Sequence, residues 1–168
     1  MERFHWLLIL GCAAIAAGVG LTSEPASAQA AYGSYVGVGP TFGITGDDDG
    51  DGQQIGGVIT ARYKILELPI SLRAQAFLGE GFAFVPTVSY DFPINWQTDA
   101  YIGAGVSIAG AGTSAVGDQI SFALQPGVDY MIPNSSTALF GNAVIAFDAY
   151  RDGGGVALAV QGGVGLRF

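Results

Sequence analysis

The sequence predicts an all-β protein: an eight-stranded antiparallel up-and-down barrel that crosses a membrane with its strands. Three observations carry that reading. The chain after its first thirty residues is built from period-two segments, each with one apolar face and one small or polar face. It is 50% hydrophobic, only 12% charged and carries 27 glycines, with a mean hydropathy of +0.43. Yet no internal segment has the roughly 18 uninterrupted apolar residues that a membrane helix needs.

The first residues read as a targeting segment. Arg3 and His5 precede an apolar run over 6–21, and Ala26-Ser27-Ala28 supplies small residues for cleavage. The domain division is therefore a signal peptide over 1–28 and a barrel over 29–168, with cleavage after Ala30 as the near alternative. Ile9-Leu10-Gly11-Cys12 looks like a lipoprotein box, but the apolar run continues past Cys12. Cleavage removes the only cysteine and the only histidine, which eliminates most nucleophilic and metal-hydrolase designs. The expectation is a protein that is not an enzyme. The remainder holds five basic residues against twelve acidic ones, a balance that argues against nucleic-acid binding.

The strands follow in order. The first, 32–44, alternates Val36, Val38, Pro40 and Phe42 against Tyr35, Gly37, Gly39 and Thr41; the acidic stretch 45–54 ends it. The second, 55–66, sets Ile59, Ala61 and Tyr63 against Thr60, Arg62 and Lys64, before a tight Glu67-Leu68-Pro69 turn. The third, 70–78, opposes Leu72, Ala74 and Ala76 to Ser71, Arg73 and Gln75, and Gly79-Glu80-Gly81 ends it. The fourth, 82–92, places Phe84, Val88 and Tyr90 against Val85, Thr87, Ser89 and Asp91, and Pro93-Ile94-Asn95-Trp96 turns it.

The fifth, 98–109, puts Ile102, Val106 and Ile108 opposite Tyr101, Gly103 and Ser107, and a Gly/Ser loop runs over 110–118. The sixth, 120–132, shows Phe122, Leu124, Val128 and Tyr130 against Ser121, Gln125 and Asp129. The seventh, 137–150, alternates less cleanly, with Leu139, Ile145 and Phe147 outward and Asn142 and Asp148 inward. The last, 156–168, carries Val164, Leu166 and Phe168 on one face and Gln161, Gly163 and Arg167 on the other. Strands of about 9 to 13 residues are long enough to cross a bilayer at a 45° tilt.

Three wider patterns agree. Pro86-x-Val88-x-Tyr90-x-x-Pro93 recurs forty residues later as Pro126-x-Val128-x-Tyr130-x-x-Pro133, so the hairpin is the repeating unit. Connections after even strands are short and contain proline, whereas two of those after odd strands are longer. Aromatics gather at strand ends, with Tyr90, Phe92, Trp96, Tyr130 and Phe168 toward the turns and Phe42, Phe82, Phe122 and Phe147 toward the loops. Pro40, Pro86 and Pro126 cut the other way. They lie inside strands of a sheet without edges, so bulges or weakened pairing are expected there.

The alternation ending in Val164, Leu166 and Phe168 resembles the closing signal of bacterial outer-membrane barrels, and the whole pattern from 29 to 168 resembles the small OmpA- and OmpX-like type. The resemblance implies export to the bacterial outer membrane, a monomer among outer-membrane lipids, and recognition of Phe168, Leu166 and Val164 by the barrel-assembly machinery. It also implies a role in envelope integrity or surface interaction. Deleting Phe168 is expected to impair membrane assembly more than any activity. A narrow passive pore for small solutes or ions is the alternative. A soluble lipocalin-like binding barrel is the second; it would turn its apolar face inward.

Two groups of residues are candidate sites. Asp47, Asp49 and Asp51, with Gly52, fit the first half of a calcium loop, but the position of the bidentate glutamate falls on Val58 and no helices flank it. The stretch reads first as a solvated acidic loop and second as a weak calcium site; no other cofactor is expected. Inward-facing Arg62, Lys64, Arg73 and Arg167, with Asp91, Asp129 and Asp148, form a candidate lumen charge network. Its first reading is structural, because eight-stranded interiors are filled by side chains and buried charges must pair. A charged constriction is its second.

Overall fold

A computed structural model describes residues 33–45, 54–110, 112–151 and 153–168. The expected signal peptide over 1–28 and the acidic triplet Asp47, Asp49 and Asp51 lie outside them. Eight strands form: β1 (Tyr35–Gly43), β2 (Ile55–Ile65), β3 (Ile70–Leu78), β4 (Phe82–Pro93), β5 (Thr98–Ala109), β6 (Ser121–Met131), β7 (Thr137–Tyr150) and β8 (Gly154–Arg167). Each pairs antiparallel with its sequence neighbour, and β8 pairs with β1, closing the barrel. The expected boundaries hold to within three residues.

Paired positions climb as they pass round the wall. Tyr35 faces Arg62, Arg62 faces Arg73, Arg73 faces Thr87, Thr87 faces Gly105, Gly105 faces Ala123, Ala123 faces Ala146, and Ala146 faces Ala157. A circuit that starts at the foot of β1 thus ends near the head of β8. That stagger is the geometric condition for closing a tilted sheet.

Closure leaves the alternation one outcome. Val36, Val38, Ile59, Leu72, Val88, Ile102, Val128, Val160 and Val164 face outward and are exposed, while Thr60, Arg62, Arg73, Gln75, Asp91, Gln125, Asp129 and Gln161 face inward and are buried. The exposed charges Glu67, Glu80, Asp148 and Arg151 sit at strand ends or connections. An apolar wall of this extent would drive aggregation in water, whereas lipid solvates it and the closed ladder satisfies the backbone. The lipocalin-like alternative, with polar residues outside, is therefore overturned.

Aromatic rings mark both rims of the apolar wall. Phe42, Phe82, Phe84, Phe122 and Phe147 are exposed near the loop end; Tyr63, Tyr90, Phe92, Trp96, Tyr130 and Phe168 are exposed near the turn end. Such rings are stable at the water–lipid boundary, where one edge meets hydrocarbon and the other headgroups.

The three strand prolines stay in register and break pairing on one side only. Pro40 faces Gly57, Pro86 faces Ala74 and Pro126 faces Ile102 in intact ladders. On their other sides the ladder skips Gly39 and Pro40 between β1 and β8, Val85 and Pro86 between β4 and β5, and Gln125 and Pro126 between β6 and β7. The missing proline N–H points into each gap. Glycines let the chains close in there: a Cβ on Gly105 would lie 2.0 Å from the Pro86 carbonyl oxygen, and one on Gly39 the same distance from that of Gly162.

The register shift occurs elsewhere, between Phe147 and Tyr150 of β7. Asp148 there has φ 58°, a left-handed conformation that aspartate tolerates better than most residues. The extra residue reverses the parity of the strand end. Asp148 is exposed rather than inward, and Ala149 is buried in its place.

Candidate functional site: the barrel lumen

Three layers fill the lumen from the turn end to the loop end. The first is ionic. Arg62 on β2 reaches three carboxylates: Nη2 lies 2.7 Å from Asp91 Oδ2 and 2.7 Å from Asp99 Oδ2, and Nη1 lies 2.9 Å from Asp129 Oδ2. Arg73 Nη2 pairs with Asp129 at 2.7 Å and Asp91 at 3.4 Å, and Lys64 Nζ pairs with Asp99 at 2.8 Å. Adjacent strands bring these together because their inward positions stack at one height.

Hydroxyls and rings complete the layer. Arg62 Nε donates to Ser71 Oγ, Arg73 Nε donates to Ser89 Oγ, and both serines donate to Asp91. Tyr35 donates its hydroxyl to Asp129 Oδ1 at 2.8 Å. The Arg73 guanidinium sits 3.3 Å above the centre of the Tyr101 ring. Three cations face three anions, so the layer is neutral. Lys64 and Asp99 are its most exposed members and face the turn end, whereas Arg62, Arg73, Asp91 and Asp129 are almost fully buried.

Glycines make room for the large rings. The Tyr35 and Phe140 rings stack with centroids 6.1 Å apart. A Cβ on Gly37 would lie 3.0 Å from Phe140, and one on Gly165 would lie 2.7 Å from Tyr35. Inward Gly37 and Gly165 are thus seats for rings, not openings.

The middle layer is a belt of amides. Gln161 Nε2 donates to Gln75 Oε1 at 3.0 Å and to Asn142 Oδ1, Gln75 Nε2 donates to Asn142 Oδ1, and Thr87 donates to Gln125 Oε1. Among the described residues, Gln125 Nε2, Asn142 Nδ2 and Gln161 Oε1 have no protein partner. The loop-end layer is apolar, built from Val58, Phe77, Val85, Val144 and a set of alanines. Ser114, Ala115 and Val116, from the β5–β6 connection, are buried among them and stop the outer mouth.

Of the charged residues singled out from sequence, Arg62, Lys64, Arg73, Asp91 and Asp129 meet in one network. Asp148 does not join them; it lies exposed at the loop end, displaced by the bulge. Arg167 is half-buried at the turn end, where Nη2 donates to the Ser135 carbonyl. Val164, Leu166 and Phe168 lie on the outward face and are exposed. Asp99 is the member that sequence reasoning missed, although it shares parity with inward Tyr101 and Gly103. Among the described residues no cluster of histidine, cysteine or carboxylates has the form of a metal site.

An apolar exterior, a polar and ionic interior and eight closed strands together define a transmembrane β-barrel. Solved structures agree at the level of fold. Neisserial surface protein A, NspA, superposes with a TM-score of 0.58 at 17% identity, over 80% of this chain and 97% of that one. A designed transmembrane β-barrel superposes with a TM-score of 0.55 at 12% identity, over 81% of this chain and 96% of that one. No protein-family profile and no curated protein matches the sequence.

Proposed function

We propose that the protein is an integral outer-membrane barrel that neither conducts nor catalyses, and that it serves the envelope as a structural or surface-presenting element. The observation that supports this reading is the filled lumen. A selectivity filter presents a ring of one charge or a column of carbonyls along a path. Here the charged layer is neutral, tied by ion pairs of 2.7–3.8 Å, and the opposite mouth holds a buried loop. A neutral network that ties the strands together across the lumen supports a closed barrel over a conducting one.

The likeness to NspA supports the outer membrane as the location, and the apolar wall supports lipids as its main partners. Asp47, Asp49 and Asp51 belong to the proposal as an acidic surface loop. Purified protein in planar bilayers is expected to give no stable openings at 100 mV-scale potentials of about 2 kcal/mol per elementary charge. Reproducible unitary conductance would replace this reading with the passive pore.

A further inference from the structure

We propose that the loop-end mouth is a capped binding cup for a small uncharged amphiphile, and that Ala115 and Val116 occupy the place of its apolar body. The wall around them combines Val58, Phe77, Val85 and Val144 with residues too small to fill their share of the lumen: Gly43, Gly56, Ala83, Ala146, Ala157 and Ala159. The β5–β6 loop fills that space instead, with Val116 wholly buried. A barrel that needed only a solid end could have closed it with larger side chains from its own strands.

A second observation points to a ligand with a polar head. Thr41, Ser107 and Ser121 lie beneath the loop, at least nine-tenths buried, and among the described residues their hydroxyls have no protein partner. Ser107 and Ser121 face each other across the β5–β6 ladder, and Thr41 lines a small cavity with Phe77 and Ala115. A buried hydroxyl without a partner costs roughly 1–3 kcal/mol, which a ligand's hydrogen-bonding group would recover. Apolar walls with a few convergent polar atoms are the ordinary make-up of a small-molecule site. The lumen's ion pairs lie at the opposite end, so among the described residues no charged side chain lines the cup to compensate a charged ligand.

In this proposal the cap lifts to admit the ligand. Gly112 at φ 80° and Gly117 at φ 99° bracket the buried residues, and both conformations favour glycine. Beyond the second glycine the loop is tethered, with Asp118 and Gln119 donating backbone N–H groups to the Ala149 carbonyl. Ser114 and Gly117 also exchange backbone N–H donations, and Thr113 packs closely on Gly81, so release of Ala115 and Val116 gives up the Gly81 contact while the tether keeps the rest of the loop on β7.

A reversible lock tests the idea. A Cβ on Gly43 would lie 3.5 Å from the Ala115 Cβ, within disulfide reach, so Gly43→Cys with Ala115→Cys in a Cys12→Ser background pins the cap down when oxidised. The full chain in lipid nanodiscs is titrated with hexan-1-ol while the methyl NMR signals of Val58, Val116 and Val144 are followed. Saturable shifts are expected in the unsubstituted and reduced proteins, with loss on oxidation and recovery with dithiothreitol. Equal shifts in oxidised and reduced forms, or none in either, would overturn the cup. Hexanoate binding as well as hexanol would overturn its preference for an uncharged ligand. Conductance plays no part in this readout, so the cup and the non-conducting reading fail independently.

Discussion

Arg62 touches Asp91, Asp99 and Asp129 at once, which makes every carboxylate in the layer depend on it, with Arg73 sharing Asp91 and Asp129 and Lys64 sharing Asp99. Taking away one anion leaves the guanidinium groups short of charge where they are almost fully buried. Asp129→Ala is expected to cost about 3–5 kcal/mol in urea unfolding from lipid vesicles, the usual penalty for stranding a buried charge. Asp148→Asn is expected to change the same measurement by under about 0.5 kcal/mol, as for an exposed residue away from any network. Parity along the strands made Arg62, Lys64, Arg73, Asp91 and Asp129 legible in the sequence, because a closed barrel converts inward parity into shared space. Asp148 was not legible. One extra residue in β7 reverses which face is inward, and only aspartate's tolerance of positive φ hinted at it. The pairing partners of each cation were equally hidden, since they depend on the stagger between strands.

At the scale of the element, the prolines and glycines act as pairs. Gly105 stands against the Pro86 carbonyl with no space for a side chain, whereas Gly141 on the outer wall has nothing within 4 Å of a Cβ. Gly105→Ala is expected to destabilise the barrel clearly, and Gly141→Ala to leave its unfolding midpoint nearly unchanged. Pro86→Ala restores an N–H to the β4–β5 gap and lets the strands adopt normal spacing. The double variant is therefore expected to be more stable than the two single effects predict, which a double-mutant cycle measures. Proline positions announced weakened pairing in the sequence. Which neighbour would be lost, and that no bulge would form at them, followed only from strand order and the direction of the missing N–H.

The whole molecule is held by the match between its outer wall and lipid. Val88 faces outward in the body of β4 and is 54% exposed. Val88→Arg is expected to cost about 2–4 kcal/mol of stability in the bilayer if it lies at mid-depth, falling toward 1 near an interface. The shift of the folded band in unheated detergent gels, followed against urea, reads that loss. Fold class was legible throughout because eight alternating segments leave few topologies. The stopper formed by Ser114, Ala115 and Val116 was not: a Gly/Ser-rich stretch reads as solvated loop, and nothing in it announces that a mouth lined with alanines will take it in.

The gaps beside Pro40, Pro86 and Pro126 all border the amide belt, so three of the eight joints in the wall are slack at one level. The rims are tied more continuously. A cylinder with firm ends and a yielding waist can follow a bilayer that thins or thickens, changing strand tilt at mid-height while both aromatic girdles keep their interfaces. Amides flanking the three gaps are then expected to exchange with deuterium faster than amides two pairs away, and more so in thin-chain than in thick-chain lipids.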